Sequence, residues 1–417
     1  MAVKKTAKTA KAKVVKTEIP DGLKSAFTAL KKMNIDSAPL ADNALSIVKD
    51  WIDTGSYSLN AIISGSVYKG IPKGRITGLA GPSGCGKTLI VNQIIANAQR
   101  KDPDVWAVVW DSENAFDAQM AKNLGIDINK VRHCPIESVE DCRNQMTKLL
   151  DNIALDKSLH GKVIIILDSL GNLASTKELA DATAGKSAQD MGSRARSIKS
   201  MMRVLTNKCA KTNTTFVFTN HTYEDPSALF PSIVQNQSGG KAPIYLASVL
   251  VQLALKQEKT PGKKKKNDSV DDVEDDVEDT STNETSSSDE IIAIANKVMG
   301  ITMSAMTIKN RFVPTFLKSY IYLNFKSGLY KYAGLLEMAL AYNVIQQNGA
   351  VYSMGNEKLG FYKNWKDNAD LWEKEIIPVL DKIIQKEFTF SNEALEEIEY
   401  NEEQLLIENN ENDEDSE

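Results

Sequence analysis

Gly81-Pro82-Ser83-Gly84-Cys85-Gly86-Lys87-Thr88 fits G-x-x-x-x-G-K-[ST], the spacing of a phosphate-binding P-loop. Upstream, Gly74-Arg-Ile-Thr-Gly-Leu-Ala80 reads as a short buried strand. Downstream, residues 89–98 carry the apolar spacing of a helix. Strand, glycine loop and helix form the setting that the motif needs. The glycines let backbone N–H groups close around phosphate oxygens, and the helix N-terminus adds partial positive charge. Lys87 would reach the β and γ phosphates, and the Thr88 hydroxyl would ligate Mg2+. The plain alternative is a Gly-rich turn that precedes a helix.

Working outward, the apolar strands alternate with helices. Residues 104–110 read as a buried strand that ends in Asp111-Ser-Glu113-Asn-Ala-Phe-Asp117. Residues 120–124 and 139–155 read as helices, and residues 163–168 as a central strand with Asp168-Ser169 at its carboxyl end. A helix over 192–209 precedes a strand over 215–221 that ends in Asn220-His221. Near-continuous apolar strands between helices predict an α/β fold with a mostly parallel sheet flanked by helices. Ligands in such sheets sit at the carboxyl ends of the strands, where Glu113, Asp168 and His221 all fall. Further strands are expected over 248–255, 291–297, 304–309 and 320–325, and helices over 21–33, 44–51, 334–342 and 369–386. Residues 225–243 read as a long loop.

With 417 residues the chain can bury a sizeable core. The longest apolar run, residues 163–167, is far too short to span a bilayer, and the N-terminus lacks a signal-peptide stretch. No membrane partner is expected. Cys85, Cys134, Cys142 and Cys209 show no C-x-x-C spacing, which points to a reducing compartment without disulfides or zinc. The preferred reading of all four is small buried filler, although Cys85 lies in the P-loop, where a thiol reagent could still block nucleotide. The net charge of −5 hides a partition: +6 over residues 1–17, −6 over 256–290 and −12 over 391–417 leave +7 for the rest. A basic body between acidic segments is compatible with a polyanionic partner. Residues 1–17 lack apolar periodicity and residues 256–290 lack aromatics, so both are expected to be disordered, and residues 391–417 read as a solvated acidic tail.

Asp168 fits the second acid of P-loop ATPases, which holds the magnesium shell, and Ser169 would orient it. Glu113 ends the neighbouring strand and could align the water that attacks the γ-phosphate or take its proton. Its plain alternative is a helix cap. His221 could hydrogen-bond the γ-phosphate or that water, against the alternative of a packed strand-end histidine.

Together these stretches resemble the RecA recombinase family. The resemblance rests on Thr54-Gly-Ser-Tyr-Ser-Leu-Asn60, the P-loop, Asp111 to Asp117, Ile-Leu-Asp168-Ser-Leu, Thr-Asn-His221 and Gly239-Gly240-Lys241-Ala-Pro-Ile-Tyr245, in that order. It covers about residues 50–345, and residues 168–178 and 220–224 are most similar to the branch carried by large tailed phages. The resemblance implies a RecA-type P-loop ATPase core that uses ATP and Mg2+, forms helical filaments on single-stranded DNA and pairs it with homologous duplex DNA. It makes Glu113 the water-activating acid and His221 the γ-phosphate sensor, and adds Asp117 to the nucleotide set. It implies two DNA-facing loops, one over 174–190 with Lys177 and Lys186, followed by Arg196 and Arg203 on the next helix. The other covers about 223–240 and ends at Gly239, Gly240 and Lys241. Lys309 and Arg311 match a basic pair that reaches the ATP of the neighbouring protomer, and residues 23–30 match an arm that docks on an adjacent subunit. Single-strand-binding and mediator proteins are implied partners, and the cytoplasm (of a host, if phage-encoded) is the implied location. Met120 stands where the family often stacks an aromatic on adenine. The domain expectation is a basic tail over 1–17, an arm over 18–53, an ATPase core over 54–330, a small C-terminal α/β unit over 331–390 and an acidic tail. A helicase or loader of the same superfamily is the competing reading.

Overall fold

The computed structural model describes residues 19–40, 43, 45–186, 191–223, 233–255 and 300–388. The basic tail, the charged insertion, the strand expected over 291–297 and the acidic tail lie outside them. The chain divides into two compact units, residues 1–48 and 49–417. In the first, α1 (Asp21–Met33) is amphipathic with Asp21 in its first turn and Lys31 and Lys32 in its last, where they suit the helix dipole. Leu23, Phe27 and Leu30 share one exposed face. The helix expected over 44–51 is absent among the described residues. Asn43 Oδ1 instead takes the Leu45 N–H at 2.9 Å, and Asp50 Oδ1 takes the Trp51 N–H at 2.9 Å. Such short-range side-chain acceptors compete with helix formation.

The second unit begins with β1 (Trp51–Ile52), α2 (Tyr57–Ser64) and β2 (Ile71–Pro72). Ser56 caps α2 by accepting from the Leu59 N–H, and Gly65 ends it in the left-handed conformation. β3 (Ile76–Gly81) is buried throughout and leads through the P-loop to α3 (Lys87–Lys101). Then follow β4 (Trp106–Asp111), α4 (Ala118–Asn123), β5 (Val131–Pro135), α5 (Val139–Leu155) and β6 (Val163–Asp168). The chain continues through α6 (Thr176–Thr183), α7 (Met191–Thr212), β7 (Thr215–Tyr223), β8 (Asn236–Gln237), α8 (Ala242–Leu246), β9 (Val249–Leu255), β10 (Gly300–Asn310), β11 (Lys318–Asn324) and β12 (Gly328–Leu329). Among the described residues the large sheet runs β12-β11-β10-β9-β3-β7-β6-β4-β5, with β8 paired to β7. The stretch from β9 to β5 is parallel, and β10, β11 and β12 extend it antiparallel. One apolar cluster lies on each side of the sheet's central strands: Leu79 and Val217 belong to one, Ile76 and Phe216 to the other. That two-sided burial is why these strands read as unbroken apolar runs.

Other elements also differ from the sequence expectation. Residues 176–183, part of the loop that the resemblance implies over 174–190, form α6, held by a capping box between Ser175 and Glu178. β5 was missed because it is an edge strand whose residues are mostly exposed. A small sheet of β13 (Gln346–Asn348), β14 (Val351–Met354) and β15 (Glu357–Phe361) turns at Gly349 and Gly355, both with positive φ.

The remaining helices are α9 (Leu335–Ala341), α10 (Tyr362–Trp365) and α11 (Ile377–Phe388). A π-turn over Leu371–Ile376 precedes Pro378, which has no N–H to give an α-helical bond. Trp365, Trp372 and Leu380 join the same apolar cluster as Leu59 and Ile94, so this segment folds as part of the second unit. Among the described residues no helix is long and apolar enough to cross a membrane.

Candidate nucleotide and DNA site

Strand register builds the site. Gly81 of β3 lies opposite His221 of β7, and Asp111 of β4 lies opposite Asp168 of β6. The order β3-β7-β6-β4 therefore brings the P-loop, His221, Asp168 and the Asp111–Asp117 turn onto one rim.

The loop itself needs its glycines. Gly86 has φ 78°, and a Cβ there would meet Leu323 Cδ2 at 2.3 Å. Lys87 is 7% exposed, and its Nζ donates to the Gly81 and Pro82 carbonyls at 3.0 and 2.8 Å. The ammonium thus already stands inside the loop. Cys85 is buried, as the filler reading expects, and burial pushes its thiol up despite the nearby Lys87.

Thr88 Oγ1 donates to Asp168 Oδ2 at 2.6 Å, and Thr219 Oγ1 donates to Asp168 Oδ1. Burial pushes the Asp168 carboxyl up, opposed by those two hydroxyls and reinforced by Glu113 and Asp111. A hydroxyl and a carboxylate at the foot of a P-loop form an all-oxygen donor set, which suits Mg2+. Among the described residues no group of three or more His, Cys, Asp or Glu could hold a metal. A cation here would need nucleotide and water for its remaining ligands.

Glu113 is engaged on one oxygen. Its Oε1 accepts from Ser169 Oγ at 2.5 Å and meets His221 Nε2 at 2.8 Å. Burial raises its carboxyl, but Ser169, His221 and the charge of Lys87 outweigh that and hold it below the usual range. Ser112 Oγ donates to the Ser169 carbonyl at 2.8 Å and so ties the two strand ends together. Asp117 caps α4 by accepting from the Met120 N–H at 2.6 Å, and Met120 is half-buried.

The DNA candidates separate. Lys177, Lys186, Arg196, Arg203, Gly240 and Lys241 are exposed, and Gly239 is half-buried. Residues 187–190 and 224–232 of the two loops lie outside the described residues. The returning end of the second loop is tied to the nucleotide rim. Asn220 Nδ2 donates to the Ser238 carbonyl at 2.9 Å, and the Ser238 N–H donates to the His221 carbonyl at 3.2 Å.

Lys309 and Arg311 are not on that rim. Asn310 pairs with Val249, which pairs with Thr77, four residues before Gly81. At about 3.3 Å per residue that is about 13 Å down the sheet from the P-loop. Lys309 Nζ donates to the Tyr245 carbonyl. Burial and Arg311 together lower its pKa, and the same two causes act on Arg75, so three cations crowd this end.

A model of the RecA N-terminal domain matches residues 23–275, more than half of the chain. The chain belongs to the RecA family. The recombination and repair protein of Enterobacteria phage T4, UvsX, is 29% identical over 292 residues, which are 70% of this RecA-family chain and 64% of the phage protein. The match thus spans a little under two thirds of that relative. RecA of Mycoplasmopsis pulmonis is 26% identical over 364 residues, covering 86% of this chain and 91% of its own length. RecA of Thermus aquaticus is 27% identical over 337 residues, covering 81% and 84%. These relatives support a RecA-type recombinase role for this RecA-family chain and give no support to the helicase reading.

Sequence reasoning had not singled out Asp111, Ser112 or Thr219, although each lies within two residues of a candidate on its own strand end. Asp111 in particular precedes Glu113 by two, at the point where an apolar strand stops.

Proposed function

We propose that this chain hydrolyses ATP while assembled as a helical filament on single-stranded DNA, and pairs that strand with homologous duplex. One observation carries the reading. The P-loop, Glu113 and Asp168 occupy one end of the sheet, while Lys309 and Arg311 occupy the other. A cation pair too far from its own P-loop, and crowded by Arg75, suits the phosphates of a neighbouring copy.

In this reading the P-loop amides, Lys87 and Thr88 bind the triphosphate, with Asp117 on the nucleoside side. Thr88 and Asp168 hold Mg2+, which supplies positive charge against the phosphates. Glu113 orients the attacking water and takes its proton, and His221 senses the γ-phosphate. The Asn220–Ser238 bond supports a path from that sensor to the second loop. Loss of the γ-phosphate removes the anion that Lys309 and Arg311 need, so the interface loosens and DNA leaves. Lys177, Lys186, Arg196, Arg203 and the Gly239-Gly240-Lys241 turn meet DNA chiefly at phosphates, in a salt-dependent and sequence-tolerant way. Residues 54–330 are the ATPase core, α1 docks on the adjacent copy, and single-strand-binding and mediator proteins are partners in the cytoplasm.

The test is ATP hydrolysis with and without single-stranded DNA. DNA should stimulate turnover at least about tenfold, and Arg311→Ala should remove most of that stimulation while the chain stays folded. Hydrolysis indifferent to DNA would sink the reading. Strand separation without pairing would move it to a helicase.

A further inference from the structure

Four donors converge on one carboxylate beside the candidate base. Asp111 is 1% exposed. Its Oδ1 accepts the N–H of Glu113 at 3.0 Å and of Ala115 at 3.3 Å. Its Oδ2 accepts the N–H of Phe116 at 3.0 Å and meets His133 Nε2 at 3.0 Å. The loop therefore closes on Asp111, with Asn114 turned into the left-handed region at φ 53°.

His133 reaches this point from β5, where it pairs with Val109 of β4. Its ring also stacks on Phe116, with centroids 6.2 Å apart and planes 24° apart. One imidazole thus holds both the carboxylate that gathers the loop and the aromatic ring near the loop's end. Glu113 lies between those two anchors in sequence. Removing the imidazole would leave Oδ2 with the Phe116 N–H alone and release the Phe116 ring from its stack.

We propose that His133 is a positioning residue for hydrolysis. By giving Nε2–H to Asp111 and stacking on Phe116, it fixes the Asp111–Asp117 loop so that Glu113 meets Ser169 and His221. The proposal rests on the reading of Glu113 as the base. It needs only a proton on Nε2, which both the neutral Nε2–H tautomer and the imidazolium supply. His133 touches neither nucleotide phosphate nor water in this scheme, so its effect should appear in turnover and not in binding.

The test compares side chains of different reach in the full chain, with saturating single-stranded DNA. Glutamine places its amide nitrogen where His133 has Nε2, asparagine falls short, and methionine keeps bulk without a donor. H133N and H133M should each lower kcat about tenfold, with KM for ATP within about twofold of the unaltered chain. H133Q should stay within about threefold of the unaltered kcat. H133M serves where H133N melts below the assay temperature. If H133N and H133M both hydrolyse within about twofold of the unaltered chain, or if kcat and KM collapse together in all three variants, the proposal is overturned. If the unaltered chain itself shows no DNA-stimulated hydrolysis, the reading of Glu113 fails first, and this proposal falls with it.

Discussion

Lys87→Ala should lower ATP affinity and turnover by at least about a hundredfold and abolish nucleotide-dependent assembly on DNA. The reason lies in where the ammonium already sits. Its Nζ donates to the carbonyls of Gly81 and Pro82, within the loop that would take the phosphates. When triphosphate binds, the lysine exchanges neutral acceptors for charged ones. Hydrogen bonds to charged groups contribute about 1.5–3 kcal/mol each, so losing two reaches the stated range. Alanine removes the cation and also leaves two loop carbonyls without their donor, so the loop loses shape as well as charge. Titration calorimetry with a non-hydrolysable ATP analogue measures the affinity, and circular dichroism checks the fold. Affinity within about threefold of the unaltered chain would take Lys87 out of the mechanism.

Glu113→Gln should separate binding from chemistry. The amide keeps the size of the side chain and can still meet Ser169 and His221, but it cannot accept a proton from water. Turnover should fall about 10²- to 10⁴-fold, the usual contribution of a positioned base, while ATP and DNA binding stay within about threefold. Two features make Glu113 suited to the task. Ser169 and His221 both meet Oε1, which orients the carboxylate and leaves Oε2 outside that pair. The same contacts, with the charge of Lys87, overcome burial and hold the carboxyl below its usual range, so the base form prevails at neutral pH. Single-turnover hydrolysis, read beside DNA binding by anisotropy, distinguishes the outcomes. Turnover near that of the unaltered chain would reject Glu113 as base. Loss of DNA binding together with turnover would make it a structural residue of the loop instead.

Much of the site is legible because strand ends are legible. Val163 to Leu167 is apolar without a break, so the first polar residue after it, Asp168, marks the carboxyl end. The same logic finds the Asp111–Asp117 turn and Asn220-His221. Capping signals were legible too, and one was overlooked: Ser175-Thr-Lys-Glu178 is a capping box, and it starts a helix where a loop was expected. Gly349-Ala350 is the two-residue loop between the paired Asn348 and Val351, and Gly349 supplies the positive φ that the hairpin between β13 and β14 needs. β5 gave little signal because an edge strand buries too few residues to show either apolar run or alternation.

The sequence alone determined the phosphate loop, the alternation of strand and helix, and the identity of the polar residues at strand ends. These are local properties, written in residue spacing over ten or twenty positions. Tertiary structure decided which strand lies beside which. Placing β7 between β3 and β6 brings His221 to Glu113, 108 residues away, and Thr219 to Asp168, 51 residues away. It set His133 against Asp111, sent Lys309 and Arg311 to the far end of the sheet, and packed Trp372 into the core of Leu59 and Ile94. Strand order and register arise from packing between segments distant in the chain, and no local pattern within one segment encodes its partner.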